Sequence, residues 1–248
     1  MPTTMILIRH GETAWNAIKR IQGFEDIPLN DLGERQAEEL GERFEQTKAA
    51  GDDLSNTLVA SLNQADGGRG LGTKPIAAFY VSDLQRAQQT AAPVARALGL
   101  EPAPMAALRE RNYGDFEGLN PDEIAQRFPE QFEHWQSRDP EFGPTHGESQ
   151  RVFHERVVKT LRGLAERHPD ERVVVVAHGG VLDNARRYAD SLPLERPRDY
   201  LLLNASINVV NFMPDGARVI SWADVSHLDT GEVRDDTGNE RRPDTRVI

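Results

Sequence analysis

A run of four consecutive valines, residues 173–176, most constrains the fold of this chain. Uninterrupted apolar residues, rather than alternating ones, are typical of a strand that is buried on both faces. Residues 5–8, Met-Ile-Leu-Ile, form a second such run, and residues 76–81 predict a third strand. Buried strands of this kind belong to parallel sheets whose two faces are covered by helices.

Helical patterns lie between these strands. The predicted helices span residues 31–48, with Asn30 or Asp31 as the N-cap, and residues 84–98, 121–135, 149–167 and 181–189. Residues 206–212 and 217–222 predict a closing hairpin with its turn at Pro214, Asp215 and Gly216. Because strands and helices alternate, the sequence predicts an α/β three-layer sandwich with a mainly parallel sheet and helices on both faces.

The length of 248 residues suits one domain, which we assign to residues 1–228. Residues 51–75 hold five glycines and one proline and are interpreted as a mobile insertion with a short helix at 54–62. Residues 229–248 are polar and charged and are expected to form a disordered tail.

The insertion has two interpretations. The first is a tolerated surface loop, because loop entropy grows only slowly with length. The second is a lid or a subunit contact anchored by the apolar residues 58–60, which leaves a homodimer open. A helix-to-strand connection lies opposite the strand ends where ligands bind in such folds, and this favours the surface loop.

Charge and composition exclude several classes of protein. The chain carries 29 Lys and Arg against 40 Asp and Glu, a net charge of −11, which argues against a general nucleic-acid or membrane binder. A local cluster of cations can still hold a small anionic substrate. The absence of cysteine excludes disulfides and thiolate chemistry and fits a cytoplasmic location. No apolar run reaches the roughly 18 residues that a membrane span needs.

Polar residues follow three of the predicted strands at the point where each strand ends. His10, Ser82 and His178 each come directly after such a strand. The carboxyl ends of parallel strands meet at one edge of the sheet, and ligands bind there in open α/β folds. The sequence therefore predicts one functional site at this edge.

The tripeptide Arg9-His10-Gly11 suggests phosphate chemistry. Arginine offers a planar fork of donors that suits phosphate oxygens, and glycine allows a ligand to approach the backbone closely. An isolated Arg-His pair is nevertheless more often a capping or core-edge histidine. The longer string of residues decides between these interpretations.

Four ordered motifs carry a family resemblance. They are Leu-Ile-Arg-His-Gly-Glu-Thr-Ala-Trp-Asn at 7–16, continued by Arg-Ile-Gln-Gly-Phe at 20–24, Ser-Asp-Leu-Gln-Arg-Ala at 82–87, Leu-Arg-Glu-Arg at 108–111 and Ala-His-Gly-Gly at 177–180. Together they resemble the signature of the histidine phosphatase, or phosphoglycerate-mutase-like, superfamily. The resemblance covers residues 5–50 and 76–228, and it implies the fold predicted above.

The resemblance also implies roles for individual residues. His10 would attack phosphorus through Nε2 while a backbone carbonyl holds its other ring nitrogen. Glu110 would protonate the leaving oxygen and then activate water, and with His10, His178, Arg9 and Arg86 it completes the implied catalytic set. The implied phosphate-binding set is Arg9, Asn16, Gln22, Gly23, Arg86, His178 and Gly179. No metal or other cofactor is expected, because these donors neutralise the phosphoryl charge.

The reaction itself is left open by the family. The mutase pattern has a lysine where this chain has Pro121, an arginine pair where it has Gln136 and Ser137, and an asparagine where it has Gly180. These departures leave the second anionic group of a phosphoglycerate poorly held. We therefore favour hydrolysis of a small phosphorylated metabolite.

Two alternatives to hydrolysis remain. The first is phosphoglycerate mutase activity, in which the phosphoryl group returns to the substrate. The second is a non-catalytic phosphate-binding module. The intact set of His10, Glu110 and His178 argues against the second alternative.

Overall fold

A six-stranded sheet forms the centre of the molecule, in a computed structural model that describes residues 2–50, 57–65 and 74–228. The predicted tail, 229–248, and residues 51–56 and 66–73 of the insertion lie outside these ranges. The strands are β1 Thr3–Arg9, β2 Ile76–Val81, β3 Ala103–Pro104, β4 Arg172–Ala177, β5 Ile207–Met213 and β6 Gly216–Asp224. Their order in the sheet is β3-β2-β4-β1-β5-β6.

The first four strands in this order are parallel, and the last two are antiparallel. Strand β1 pairs with β4, with Leu7 opposite Val175, and both strands are buried along their whole length. The predicted hairpin of β5 and β6 continues the sheet beyond β1. The prediction of a mainly parallel sheet is therefore confirmed.

Helices cover both faces of the sheet, as predicted. They are α1 Ala14–Ala17, α2 Asp31–Ala50, α3 Thr57–Ala65, α4 Gln85–Leu98, α5 Pro121–Arg127, α6 Pro129–Gln136, α7 Gln150–Arg167 and α8 Gly179–Asp190. Apolar residues of α2, α3 and α4 form a core on one face, and those of α7 and α8 form a core on the other. Asn30 caps α2, because its Oδ1 accepts a hydrogen bond from Gly33 N at 2.8 Å. Within the described ranges, no helix combines the length and the apolar character that crossing a bilayer requires.

The single helix predicted over residues 121–135 is wrong, since the structure has two helices there. Phe128 separates α5 from α6 with a non-helical backbone at φ −134° and ψ 56°. Pro129 explains the break, because a proline ring disfavours helical geometry in the residue before it. The two short helices share a small apolar cluster with Phe116 and Leu119, separate from both sheet cores.

The insertion contains a short helix, as the sequence predicts, and this helix is buried. Helix α3 lies three residues further along the chain than the predicted helix at 54–62, of which residues 54–56 fall outside the described ranges. Leu58, Val59 and Leu62 are 1%, 2% and 5% exposed and join the core beside α2 and α4. Residues 58 and 59 therefore pack inside their own chain and leave little apolar surface to anchor a lid or a second subunit.

Helix α3 also lies far from the predicted site. Its last residue, Ala65, accepts a hydrogen bond from Asn211 Nδ2 at 2.7 Å, and Asn211 Oδ1 accepts from Thr4 at 2.9 Å. Thr4 stands at the beginning of β1, whereas His10 follows its end. The helix thus stabilises the edge of the sheet opposite the strand ends.

Truncation of Leu58 should lower stability without changing catalysis. We expect Leu58→Ala to reduce the free energy of unfolding by about 2–5 kcal/mol, because a leucine buried in a packed core leaves a cavity when shortened. The matched control is Gln64→Ala on the exposed face of the same helix, with an expected change within about 0.5 kcal/mol. Urea unfolding would measure both values, and equal stabilities for the two variants would contradict the packing of α3.

Candidate active site

Three strand ends bring their polar residues together, as the sequence predicts. His10 follows β1, Ser82 follows β2 and His178 follows β4. The ring centroids of His10 and His178 lie 5.2 Å apart with an interplanar angle of 61°. His178 Nε2 lies 2.8 Å from Ser82 Oγ. The carboxyl edge of the sheet therefore carries one compact, buried group of side chains.

One ring nitrogen of His10 is hydrogen-bonded to the backbone, and this fixes the orientation of the ring. Its Nδ1 lies 2.7 Å from the carbonyl oxygen of Gly11, so Nδ1 carries the proton and the lone pair is on Nε2. Burial first, and then the positive charges of Arg86 and Arg9, hold the pKa of His10 well below its usual value. The ring is therefore neutral at neutral pH, which is the protonation state that a nucleophile requires.

The backbone of His10 is fixed by a residue that sequence reasoning missed. Asn204 Nδ2 donates to the carbonyl oxygen of His10 at 3.1 Å, and Ala205 N donates to the same oxygen at 3.2 Å. Asn204 lies in the loop before β5, outside all four motifs. Its contact is with backbone atoms almost 200 positions away, and no local sequence pattern reports such a contact.

Arg86 is fully buried, and each of its three guanidinium nitrogens donates a hydrogen bond. It donates through its two terminal nitrogens to the carbonyl oxygens of Glu25 and Gly23, each at 2.8 Å, and through Nε to His178 Nδ1 at 3.3 Å. Gly23 adopts the left-handed region at φ 54°, where a side chain would be strained. Burial lowers the pKa of Arg86 to about 10, opposed by the negative charge of Glu110, so the guanidinium stays charged at neutral pH.

The remaining predicted phosphate-binding residues lie close to this group in the chain and are also buried. Arg9 donates to the carbonyl oxygen of Leu202 at 2.5 Å. Asn16 Oδ1 accepts from Thr13 N at 3.0 Å, in a capping box that fixes the short helix α1. Gln22 Oε1 is buried and has no hydrogen-bond partner within the described part of the chain. Arg9 ends β1, and Asn16 and Gln22 lie in the segment that follows it, so this part of the chain carries one cation and two amide side chains.

Glu110 is oriented by two main-chain donors. Its Oε1 accepts from Arg111 N at 2.8 Å, and its Oε2 accepts from Gly180 N at 2.9 Å. A Cβ at position 180 would lie 2.1 Å from Glu110 Oε1, so a larger residue there would require this carboxylate to move. The N–H group of Gly180 therefore binds a side chain of the protein, a contact that sequence reasoning missed.

Gly11 has a structural role in addition to its predicted one. A Cβ at Gly11 would lie 2.6 Å from the carbonyl oxygen of Gly33, in the first turn of α2. The glycine is therefore required by close packing of the loop after β1 against this helix. This packing is a reason for glycine at position 11, and the approach of a ligand to its backbone stays a prediction.

A cavity of about 510 Å³ opens beside Glu110 and Gly180. Aromatic side chains line part of it, contributed by α6 and the loop that follows, and they are Phe132, Trp135 and Phe142. Polar residues of α7 and α8 line another part, and they are Gln150, Asp183, Asn184 and Arg187. Glu110, Gly179 and Gly180 line this cavity, whereas His10 and Arg86 do not, so the cavity adjoins the strand-end group through Glu110 and the beginning of α8.

Known proteins share this arrangement of motifs and fold. The model of the histidine phosphatase superfamily (branch 1) matches residues 5–60 and 60–225. The phosphoglycerate mutase-like protein 4 of Arabidopsis thaliana is 34% identical over 241 residues, covering 96% of this chain and 92% of the relative. The metal-independent phosphoserine phosphatase of the same plant is 35% identical over 228 residues, covering 91% of this chain and 83% of the relative.

A solved structure agrees with these sequence matches. Bacillus stearothermophilus YhfR superposes with a TM-score of 0.72 at 30% identity, and the match covers 92% of this chain and all of that one. The family match spans most of the chain and includes all four motifs. Phosphatases and mutase-like proteins both occur among the relatives, and both names describe phosphoryl chemistry. The chain is an enzyme that belongs to branch 1 of the histidine phosphatase superfamily.

Proposed function

We propose that this enzyme hydrolyses a small phosphate monoester through a phosphohistidine intermediate on His10. The observation that carries the proposal is the fixed ring of His10, whose Nδ1 is bound to the Gly11 carbonyl while Nε2 keeps its lone pair. In the first step the Nε2–P bond forms and the P–O bond to the leaving group breaks. In the second step water attacks phosphorus, and the Nε2–P bond breaks to release phosphate.

Cationic and neutral donors stabilise the phosphoryl group in both steps. Arg86 and Arg9 lower the pKa of His10 through their positive charge, so they lie close enough to act on a phosphoryl group bound there. A preorganised donor in a buried site of this kind is typically worth about 3–4 kcal/mol in the transition state. These residues, with His178, supply the charge neutralisation that the reaction needs.

Glu110 is the proposed acid and base. As a carboxylic acid it gives its proton to the leaving oxygen in the first step, and as a carboxylate it takes a proton from the attacking water in the second. Its position on the cavity wall suits this role, because the cavity has room for the leaving group. The two main-chain N–H groups that bind its oxygens keep the carboxyl group oriented.

We favour hydrolysis over the mutase reaction because this chain lacks the lysine and the arginine pair of the mutase pattern. Four arginines line the cavity, Arg111, Arg138, Arg187 and Arg198, and two of them are held by protein groups. Arg187 binds Asp183 at 2.8 Å and the carbonyl oxygen of Pro193 at 2.7 Å, and its side chain is only 4% exposed. Arg111 binds the carbonyl oxygens of Glu148 and Phe142 at 2.9 and 3.0 Å. The relative named a metal-independent phosphoserine phosphatase also supports hydrolysis.

A panel of phosphorylated metabolites tests the reaction. We expect release of inorganic phosphate from at least one member of a panel that includes phosphoserine, with no isomer formed from 3-phosphoglycerate. Activity should survive EDTA, because Arg86 and Arg9 neutralise the phosphoryl charge. Isomer formation without phosphate release would replace hydrolysis by the mutase reaction. Loss of activity in EDTA with recovery on added Mg²⁺ or Zn²⁺ would contradict the metal-independent mechanism.

A further inference from the structure

Arg156, in the middle of α7, binds the segment that carries Glu110, although it lies outside all four sequence motifs. Its guanidinium group donates to three main-chain carbonyl oxygens of this segment, that of Ala107 at 3.1 Å and those of Arg109 and Glu110 at 3.0 Å. The side chain of Arg156 is 21% exposed, so most of it is shielded from solvent. One side chain therefore fixes the backbone before the proposed acid and at the acid itself.

Two further groups orient this guanidinium. Glu148 forms a bidentate ion pair with it, accepting from Nε at Oε1 at 2.9 Å and from a terminal nitrogen at Oε2 at 2.7 Å. The ring centroid of Phe153, one turn earlier in α7, lies 4.9 Å from the guanidinium carbon. Arginine suits this position because its five donors lie in one plane that can also stack on an aromatic ring, whereas lysine offers three donors on a single ammonium group.

The peptide group between Glu110 and Arg111 connects the guanidinium with the carboxylate. The carbonyl oxygen of this peptide group accepts from Arg156 at 3.0 Å, and its N–H group donates to Glu110 Oε1 at 2.8 Å. Because a peptide group is planar, a contact that fixes its carbonyl oxygen also fixes the direction of its N–H group. Rotation of this plane would turn the N–H group away from the carboxylate, and of its two main-chain donors Glu110 would keep Gly180 N alone.

We propose that Arg156 is a positioning residue that orients the carboxyl group of Glu110 through the Glu110–Arg111 peptide group. This inference rests on the proposed function, because the orientation affects the rate only if Glu110 is the acid and base. A carboxyl group must lie within hydrogen-bond distance of the leaving oxygen to give it a proton. Loss of the Arg156 contacts therefore weakens proton transfer to the leaving group, while His10 and Arg86 keep their own hydrogen bonds.

The dependence of the rate on the leaving group tests the proposal. Single-turnover formation of the phosphoenzyme is measured with p-nitrophenyl phosphate and with the alkyl phosphate of the metabolite panel that the native enzyme hydrolyses fastest. We expect Arg156→Ala to slow the alkyl reaction by about 10–100-fold, because misplacing a reacting group by about 1 Å can cost about 10²-fold. The p-nitrophenyl reaction should slow much less, since its leaving group needs little protonation.

A second variant separates position from charge. Burial lowers the pKa of His178, and the positive charges around it, which include that of Arg156, lower it further. Loss of this charge would affect both esters alike, because both carry the same phosphoryl group. Arg156→Lys keeps the charge but cannot reach Glu148 and three carbonyl oxygens with one ammonium group, so it should also slow mainly the alkyl reaction. The matched control is Arg162→Ala, an exposed arginine of the same helix, which should leave both rates unchanged.

Glu110→Gln in the same assay distinguishes this inference from the proposed function. Equal slowing of both esters in Glu110→Gln would contradict the proposed acid itself. If Glu110→Gln slows mainly the alkyl ester while folded Arg156→Ala slows both esters equally or neither, only the role of Arg156 is overturned. Circular dichroism reports whether the alanine variant folds. If it does not, Arg156→Lys decides, because selective slowing of the alkyl ester supports the role of Arg156 and native or equally reduced rates overturn it.

Discussion

Replacement of His10 by alanine is expected to lower turnover by about 10⁴-fold or more, because the covalent route through Nε2 is lost. Native enzyme mixed briefly with substrate and then quenched should carry a phosphate that is labile in acid and stable in base, as expected for phosphohistidine. The His10→Ala protein should carry none. Rapid-quench labelling followed by peptide mapping would measure both results.

A second histidine provides the matched control for this experiment. His146 has a side chain that is 79% exposed and binds Asp115 at 2.9 Å, away from the strand ends. We expect His146→Ala to keep both the label and normal turnover. Label that persists in His10→Ala, or that maps to a serine, would show that His10 is not the nucleophile.

Glu110→Gln is expected to slow turnover of alkyl phosphates by about 10²–10⁴-fold, because an alkoxide leaving group needs a proton. An aryl phosphate with a good leaving group needs little protonation, so formation of its phosphoenzyme should slow much less. Single-turnover measurements of phosphoenzyme formation with both substrates would give the ratio.

The comparison of two leaving groups also controls for the geometry of the variant. Both oxygens of Glu110 accept from main-chain N–H groups, so an amide at this position turns a donor toward one of them. Any resulting displacement affects both substrates alike, whereas loss of the acid affects mainly the alkyl ester. Equal loss on both substrates would argue that Glu110 does not protonate the leaving group.

The sequence by itself determined the strands and the direction in which the site faces. Four valines and the run at residues 5–8 have no polar face, so they had to lie inside a covered sheet, and β1 and β4 are its buried central pair. Because parallel strands end at the same edge, the residues after them had to meet, and His10, Ser82 and His178 do so. These features are local patterns or direct consequences of topology.

Only the tertiary structure decided how individual groups in the site are paired. The fold alone shows that the space beside Gly11 is taken by the backbone of α2 and the space beside Gly180 by the carboxylate of Glu110. Asn204 supports His10 from a distant loop.

The insertion shows the same limit of sequence reasoning. Its glycines predicted a loop, but Leu58 and its neighbours bury apolar surface against helices far away in the chain. The physical reason is common to these cases, because hydrogen bonds and apolar contacts form with whatever the fold places nearby. A sequence pattern records which groups a residue carries, and only the folded chain determines the partners that they meet.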